Sequence, residues 1–165
     1  MKYFAYGSNM SSARLKKRTP NAKALGQYRL THHQLRVHKL GMDASAKCDA
    51  YYTGHDTDYI LGVLYQISEE EKPNLDRAEG LGRGYKLKTV EISNQQGQTE
   101  EALTYVATHI DPDVLPFGWY MKHVSFGASE AKLPAAYIER INAIPSLEDD
   151  NRDRKKRELS LYQKE

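Results

Sequence analysis

Ile60 to Ile67 (ILGVLYQI) carries six apolar side chains in eight positions and no charge, and it stops at Ser68 followed by three glutamates. A short, nearly continuous apolar run of this kind reads as a strand buried on both faces. Such a strand needs neighbours. Alternating or aromatic runs supply them at Lys2 to Tyr6, Ala24 to Leu30, His33 to His38, Cys48 to Thr53, Tyr85 to Ile92 and Leu103 to Thr108. The last two are predicted to form a hairpin through Asn94-Gln95-Gln96-Gly97. Helices are fewer: Ser11 to Arg18, with a capping serine and Pro20 beyond it, then a segment opened by Ser68 as N-cap with Glu71 at N3 and running towards Ala78. Pro73 falls just past that first turn and would forfeit a hydrogen bond, which favours two short pieces. Two more helices are predicted at Trp119 to Phe126 and from Pro134, as N1 residue, to Ile144. Residues 39 to 46 have no readable pattern. Strands outnumber helices and come in consecutive groups, so the expected fold class is α+β with a mixed or antiparallel sheet.

The 165 residues correspond to one domain. No run approaches the eighteen or so apolar residues of a membrane span. The single cysteine, Cys48, has no partner for an intramolecular disulfide, and MKYFAYGSNM has no secretory pattern, so a cytoplasmic location is expected. Net charge is +2, but residues 1–42 hold nine Lys or Arg and no acid. That asymmetry suits a nucleic-acid-binding arm, although these basic residues are spread through predicted helix and strand. Residues 148–165 contain twelve charged side chains, six of each sign. They are expected to lie outside the core as a solvated helix or disordered tail, giving a domain over 1–147 and a tail over 148–165.

No pair among the six histidines has zinc spacing, and His32 and His33, adjacent on a strand, point to opposite faces. Neither a metal nor a cofactor is expected. Cys48 reads as a buried thiol. Gly80, Gly82 and Gly84 follow a helix and precede a strand, the reverse of a phosphate loop, so they read as a sharp bend behind Glu79. Glu79 in the last helical turn opposes the macrodipole at a cost of about 0.3–1 kcal/mol unless something compensates. Tyr6-Gly7-Ser8-Asn9 ends a strand in residues that can turn their backbone N–H groups into one anion-binding concavity.

Three segments in order resemble the gamma-glutamylcyclotransferase family. Tyr3-Phe4-Ala5-Tyr6-Gly7-Ser8-Asn9-Met10 looks like its N-terminal signature, and Leu75-Asp76-Arg77-Ala78-Glu79-Gly80 like its catalytic segment. Tyr120-Met121-Lys122-His123-Val124, with Gly127-Ala128, Leu133-Pro134 and Tyr137, looks like its C-terminal helices. The resemblance covers residues 2–146 and implies a compact mixed β-barrel flanked by helices. It implies Glu79 as the catalytic residue, with Tyr6, Gly7, Ser8, Asn9, Tyr105 and Tyr120 around the substrate, and cofactor-independent release of 5-oxoproline from a γ-glutamyl amino acid or peptide. The expected partner is therefore a small γ-glutamyl molecule, not nucleic acid or membrane, with a homodimer as a further expectation. The alternatives are γ-glutamyl amines or another γ-glutamyl-capped metabolite as substrate, or a non-catalytic module binding nucleic acid through the basic first 42 residues.

Overall fold

The computed structural model of the chain describes residues 1–163. Its elements in order are β1 (Lys2–Ala5), a 3-10 turn (Ser8–Met10), α1 (Ser12–Lys16), β2 (Lys23–Thr31), β3 (His33–Leu40), β4 (Ala46–Tyr52) and β5 (Tyr59–Gln66). Then come α2 (Lys72–Glu79), β6 (Tyr85–Ser93), β7 (Thr99–Ala107), α3 (Gly118–Glu130), α4 (Ala135–Asn142), α5 (Arg152–Leu159) and a second 3-10 turn (Ser160–Tyr162). Five strands close a barrel in the order β1-β5-β2-β6-β7, with β7 meeting β1 in parallel at Leu103 and Tyr3 and every other pairing antiparallel. The fold is thus α+β, a mixed barrel with helices around it. β3 and β4 form a separate ribbon, tied to β7 where the Ala107 N–H donates to Asp49 Oδ1 at 2.8 Å.

β5 owes its apolar run to its place between β1 and β2, where Ile60 and Leu64 are fully buried. β1 ends at Ala5 opposite Val63, leaving the next stretch of the β5 edge unpaired on that side. The Tyr137 hydroxyl of α4 fills the gap, accepting from the Leu61 N–H at 3.1 Å and donating to its carbonyl at 3.3 Å. Pro134 is the residue just before α4 and not its first residue. Ser68 does cap a turn, its Oγ accepting from the Glu71 N–H at 3.3 Å, but the helix starts only at Lys72. Pro73 thus sits in the first turn of α2, where no intrahelical hydrogen bond is lost. The stretch with no readable pattern, 39–46, is the end of β3, a tight turn and the first residue of β4.

α3 lies directly on the Ser8–Met10 turn, and this contact depends on Gly127. A Cβ at Gly127 would stand 2.3 Å from the Ser11 nitrogen and 2.5 Å from the Met10 carbonyl carbon, both backbone atoms that cannot swing aside. Gly127→Ala is accordingly expected to destabilise the fold by about 1–3 kcal/mol through overpacking, read as a lower midpoint in thermal unfolding.

The described part of the charged tail, residues 148–163, includes the expected helix, with no buried residue in α5, yet it is docked on the body and not free in solvent. Trp119, His123 and Phe126 share one face of α3, and the tail covers that face. Asp149 accepts from Trp119 Nε1 at 2.8 Å and is clasped by Arg154 through Nε and Nη2 at 2.6 and 2.7 Å. Glu158 Oε2 accepts from Arg14 Nη1 at 2.7 Å and from His123 Nε2 at 3.0 Å. Tyr162 stacks on Phe126, and its Oη stands 2.6 Å from His123 Nδ1 and 2.8 Å from Ser11 Oγ. Composition alone cannot distinguish solvated charges from charges that have partners waiting on another element. Lys164 and Glu165 lie outside the described residues.

Burial holds the His123 imidazole below its usual pKa, against the opposing hydrogen bond to Glu158. The His123 hydrogen bond and the Arg14 charge hold Glu158 down to about 2, against the opposing effect of burial. Both shifts have the same consequence. In each case the unfolded chain binds the proton more readily, so stability falls as pH drops below about 6.5 for His123 and below about 4.5 for Glu158. Denaturation midpoints measured across pH are expected to decline from about pH 6.5 downwards. In His123→Gln the decline near neutrality should shrink, with a contribution from His33 persisting because burial also holds it below the usual imidazole value.

Candidate active site

Leu75 buries one side of α2, and the helix ends with Glu79 as its last residue. Gly80 adopts the left-handed conformation (φ 71°, ψ 44°), which costs glycine little and most other residues about 1 kcal/mol or more. The Gly80 and Leu81 N–H groups then return to the carbonyls of Arg77 (3.2 Å) and Asp76 (2.9 Å), closing a Schellman motif. The chain leaves immediately after Glu79, whose half-buried carboxylate stays at the mouth of a cavity.

The compensation that Glu79 requires comes from the turn after β1. Asn9, 4% exposed, donates from Nδ2 to Glu79 Oε1 at 2.7 Å and to the Tyr3 hydroxyl at 3.1 Å. Its Oδ1 is buried without a partner among the described residues. The Met10 and Ser11 N–H groups close the 3-10 turn on the carbonyls of Gly7 and Ser8. The N–H groups of Gly7, Ser8 and Asn9 donate to no acceptor among the described residues. Unpaired amides in one short turn beside a fixed carboxylate suit a negatively charged oxygen.

Tyr6, Gly7, Ser8, Asn9, Glu79, Tyr105 and Tyr120 all line this one cavity. Their hydroxyl chemistry is not uniform. Tyr6 donates to the carbonyl of Tyr105, and Tyr105 donates to Asp76 Oδ1 at 2.5 Å, so both protons are already committed to protein acceptors. Tyr120 accepts from the Cys48 N–H at 2.9 Å. Three wall residues went unassigned in the sequence: Tyr3, Cys48 and Tyr85, whose hydroxyl donates to the Cys48 carbonyl. A signal for them existed in the twelve tyrosines against three phenylalanines, because buried hydroxyls in such excess need an organised set of partners. Burial raises the pKa of all five tyrosines here, keeping them neutral donors or acceptors. Burial likewise pushes the Cys48 thiol up to about 12, so it packs as a thiol and is no nucleophile near neutral pH.

Two cations stand near the Glu79 carboxylate. Burial lowers the pKa of Arg18 and of Lys39, and the Glu79 charge opposes the shift in each. A roomier hollow of about 310 Å³ exists elsewhere, between Asp58, Tyr59 and Arg140. Its charged groups are engaged: Asp58 accepts from Gln34 and Thr53, and Arg140 lies over the Tyr59 and Tyr137 rings. Among the described residues no three His, Cys, Asp or Glu side chains converge as a metal site, and no helix is long and apolar enough to cross a membrane.

The AIG2-like family model matches residues 59–141. The bovine gamma-glutamylcyclotransferase is 30% identical over 149 residues, spanning 86% of this chain and 77% of that protein, and the human one is 29% identical over the same spans. Among solved structures, a human protein described as uncharacterized superposes with a TM-score of 0.83 at 25% identity, covering 92% of this chain and 91% of its own. A structure described as gamma-glutamyl cyclotransferase superposes at 0.85 with 24% identity, covering 95% and 98%, which supports the fold. With a family model matched over half its length and a relative at this identity over most of both proteins, the chain belongs to the gamma-glutamylcyclotransferase family, within the AIG2-like group.

Proposed function

We propose that the protein releases 5-oxoproline and a free amine compound from a γ-glutamyl amino acid or peptide, with Glu79 as base and then acid. The observation that carries this reading is the Glu79 carboxylate, fixed by Asn9 Nδ2 at 2.7 Å beside the unpaired amides of Gly7, Ser8 and Asn9. In the reaction the substrate's α-amine nitrogen attacks its own γ-carbonyl carbon, a C–N bond forms, and the bond to the departing nitrogen breaks. Starting from the neutral amine, one proton leaves the attacking nitrogen and one is delivered to the departing nitrogen. A single carboxylate moves both in turn, and water is not consumed. A chain that holds the folded glutamyl conformer exploits effective molarities of about 10⁵–10⁸ M. The amides of the turn receive the substrate's anionic oxygen, whether its α-carboxylate or the tetrahedral oxyanion. The tyrosine wall supplies shape and keeps water out.

The test is incubation of the protein with γ-glutamyl amino acids, γ-glutamyl amines and glutathione, with 5-oxoproline and free amine quantified together. Equal molar release from at least one γ-glutamyl amino acid or peptide is expected, undiminished by exhaustive chelation and without added nucleotide. Turnover confined to γ-glutamyl amines would move the substrate class. An activity lost to chelator and restored by metal would overturn the cofactor-independent mechanism.

A further inference from the structure

The inner cavity, about 20 Å³, has room for little more than one water. It opens into an outer hollow of about 280 Å³ that shares Ser8, Glu79, Tyr85 and Tyr120 with it. With the glutamyl half held at Glu79 and the Gly7 to Asn9 turn, as the cyclotransferase reading requires, the adjoining outer hollow is the space left for the departing half.

The wall of that hollow is strongly cationic. Arg14, Arg18, Lys39, Lys47, Arg77 and Arg83 line it, against the carboxylates of Asp43 and Glu79. Two of the six are engaged, Arg14 with Glu158 at 2.7 Å and Lys47 with Asp43 at 3.0 Å. Arg18, Lys39, Arg77 and Arg83 have no carboxylate within ion-pairing distance among the described residues. They come from four different segments: the end of the α1 region, β3, α2 and the glycine-rich bend. A solvated helix face would account for neighbours on one element, not for this convergence.

Lys39 is the most telling of the four. It is 6% exposed, its ammonium lies 4.6 Å over the Tyr85 ring, and burial depresses its pKa. A buried cation is costly unless it is paired. Balancing Glu79 occupies one positive charge and leaves the rest of the wall uncompensated. Of the nine basic residues in the first 42, Arg14, Arg18 and Lys39 line the hollow, whereas Lys2 pairs with Glu100 and Arg29 and Arg36 lie on the rings of Tyr59 and Tyr51.

Resting on the cyclotransferase reading, we propose that the departing amine compound is anionic beyond a single α-carboxylate. It carries a second acidic group, a carboxylate or a phosphate, received by Arg18 and Lys39, with the exposed Arg77 and Arg83 at the rim. The experiment compares γ-glutamyl-glutamate with γ-glutamyl-glutamine, nearly equal in shape and one charge apart, and γ-glutamyl-O-phosphoserine with γ-glutamyl-serine. In each informative pair the charged compound is expected to be better by about tenfold or more in kcat/KM, chiefly through KM. Added salt should narrow the gap. Whichever pair shows the larger gap identifies the acid as carboxylate or phosphate. Arg18→Gln and Lys39→Met should each narrow it, with folding checked by circular dichroism. If either fails to fold, Arg77→Gln and Arg83→Gln at the exposed rim are expected to narrow it as well. Equal efficiency within both pairs overturns the proposal and leaves the cyclotransferase reading standing. A gap that no variant narrows overturns the assignment to these cations. Absence of 5-oxoproline from all four compounds, with release from another γ-glutamyl amino acid or from glutathione, overturns this proposal alone, and absence from the whole γ-glutamyl panel overturns both readings.

Discussion

Glu79→Gln is expected to lower turnover by about 10²–10⁴-fold, the loss typical of removing a general acid–base, with the fold intact. The glutamine carbonyl still accepts from Asn9 Nδ2 in place of Glu79 Oε1, so the 2.7 Å hydrogen bond that positions the side chain survives. Only the capacity to take and return a proton disappears. Two electrostatic effects on stability oppose each other. Neutralising an acid at the C-terminus of α2 relieves the macrodipole, while Arg18 and Lys39 lose the nearby negative charge that favoured their charged forms. The net change should stay within about 1 kcal/mol. Substrate binding, followed by isothermal titration, should persist because the Gly7 to Asn9 turn is untouched. Turnover within about threefold of the parent would remove Glu79 from the chemistry.

Ending the chain after Leu147 is expected to be the most destabilising change to the fold. It strips Glu158 from Arg14 and from the fully buried His123, Asp149 from Trp119, and Tyr162 from Ser11 and Phe126. Breaking one partly buried ionic network by deleting a single partner costs about 3 kcal/mol or more. At roughly 2–4 °C per kcal/mol for a chain of this size, the melting temperature should fall by at least about 6–12 °C. Turnover should fall too. Ser11 is both the tail's partner and the cap of α1, its Oγ accepting from the Arg14 N–H, and it directly follows the Ser8–Met10 turn that holds Glu79 through Asn9. A truncated protein with unchanged melting temperature and unchanged activity would show that the tail contributes nothing to the site.

These two experiments bear on different kinds of sequence legibility. The sheet was readable because β5 must be apolar on both faces wherever it is enclosed, and because Asn94 to Gly97 turns the chain between β6 and β7, whereas closure into a barrel came only with the family resemblance. Among the cavity residues Tyr105 and Tyr120 came with the family resemblance alone, but a carboxylate before a glycine and a strand ending in Gly-Ser-Asn were readable as types. What linked them was not. Asn9 lies seventy positions before Glu79, and no local pattern states that its amide will be spent on that carboxylate in preference to a ligand. Tyr85 and Cys48 were invisible for the same reason, since the hydrogen bond between them joins β6 to β4 across sheets. The docking of the tail was not legible for a different reason. Balanced charge signals solvation only when partners are absent, and His123, Trp119 and Arg14 supplied them from α3 and α1.

The central claim is that the substrate's own amine attacks its γ-carbonyl while Glu79 carries the proton. It is tested most directly by running the reaction in oxygen-18-labelled water and weighing the products. Intramolecular closure predicts 5-oxoproline free of label and one free amine per ring formed, whereas glutamate carrying one labelled oxygen in its γ-carboxylate would mean that water is the nucleophile and would contradict the account.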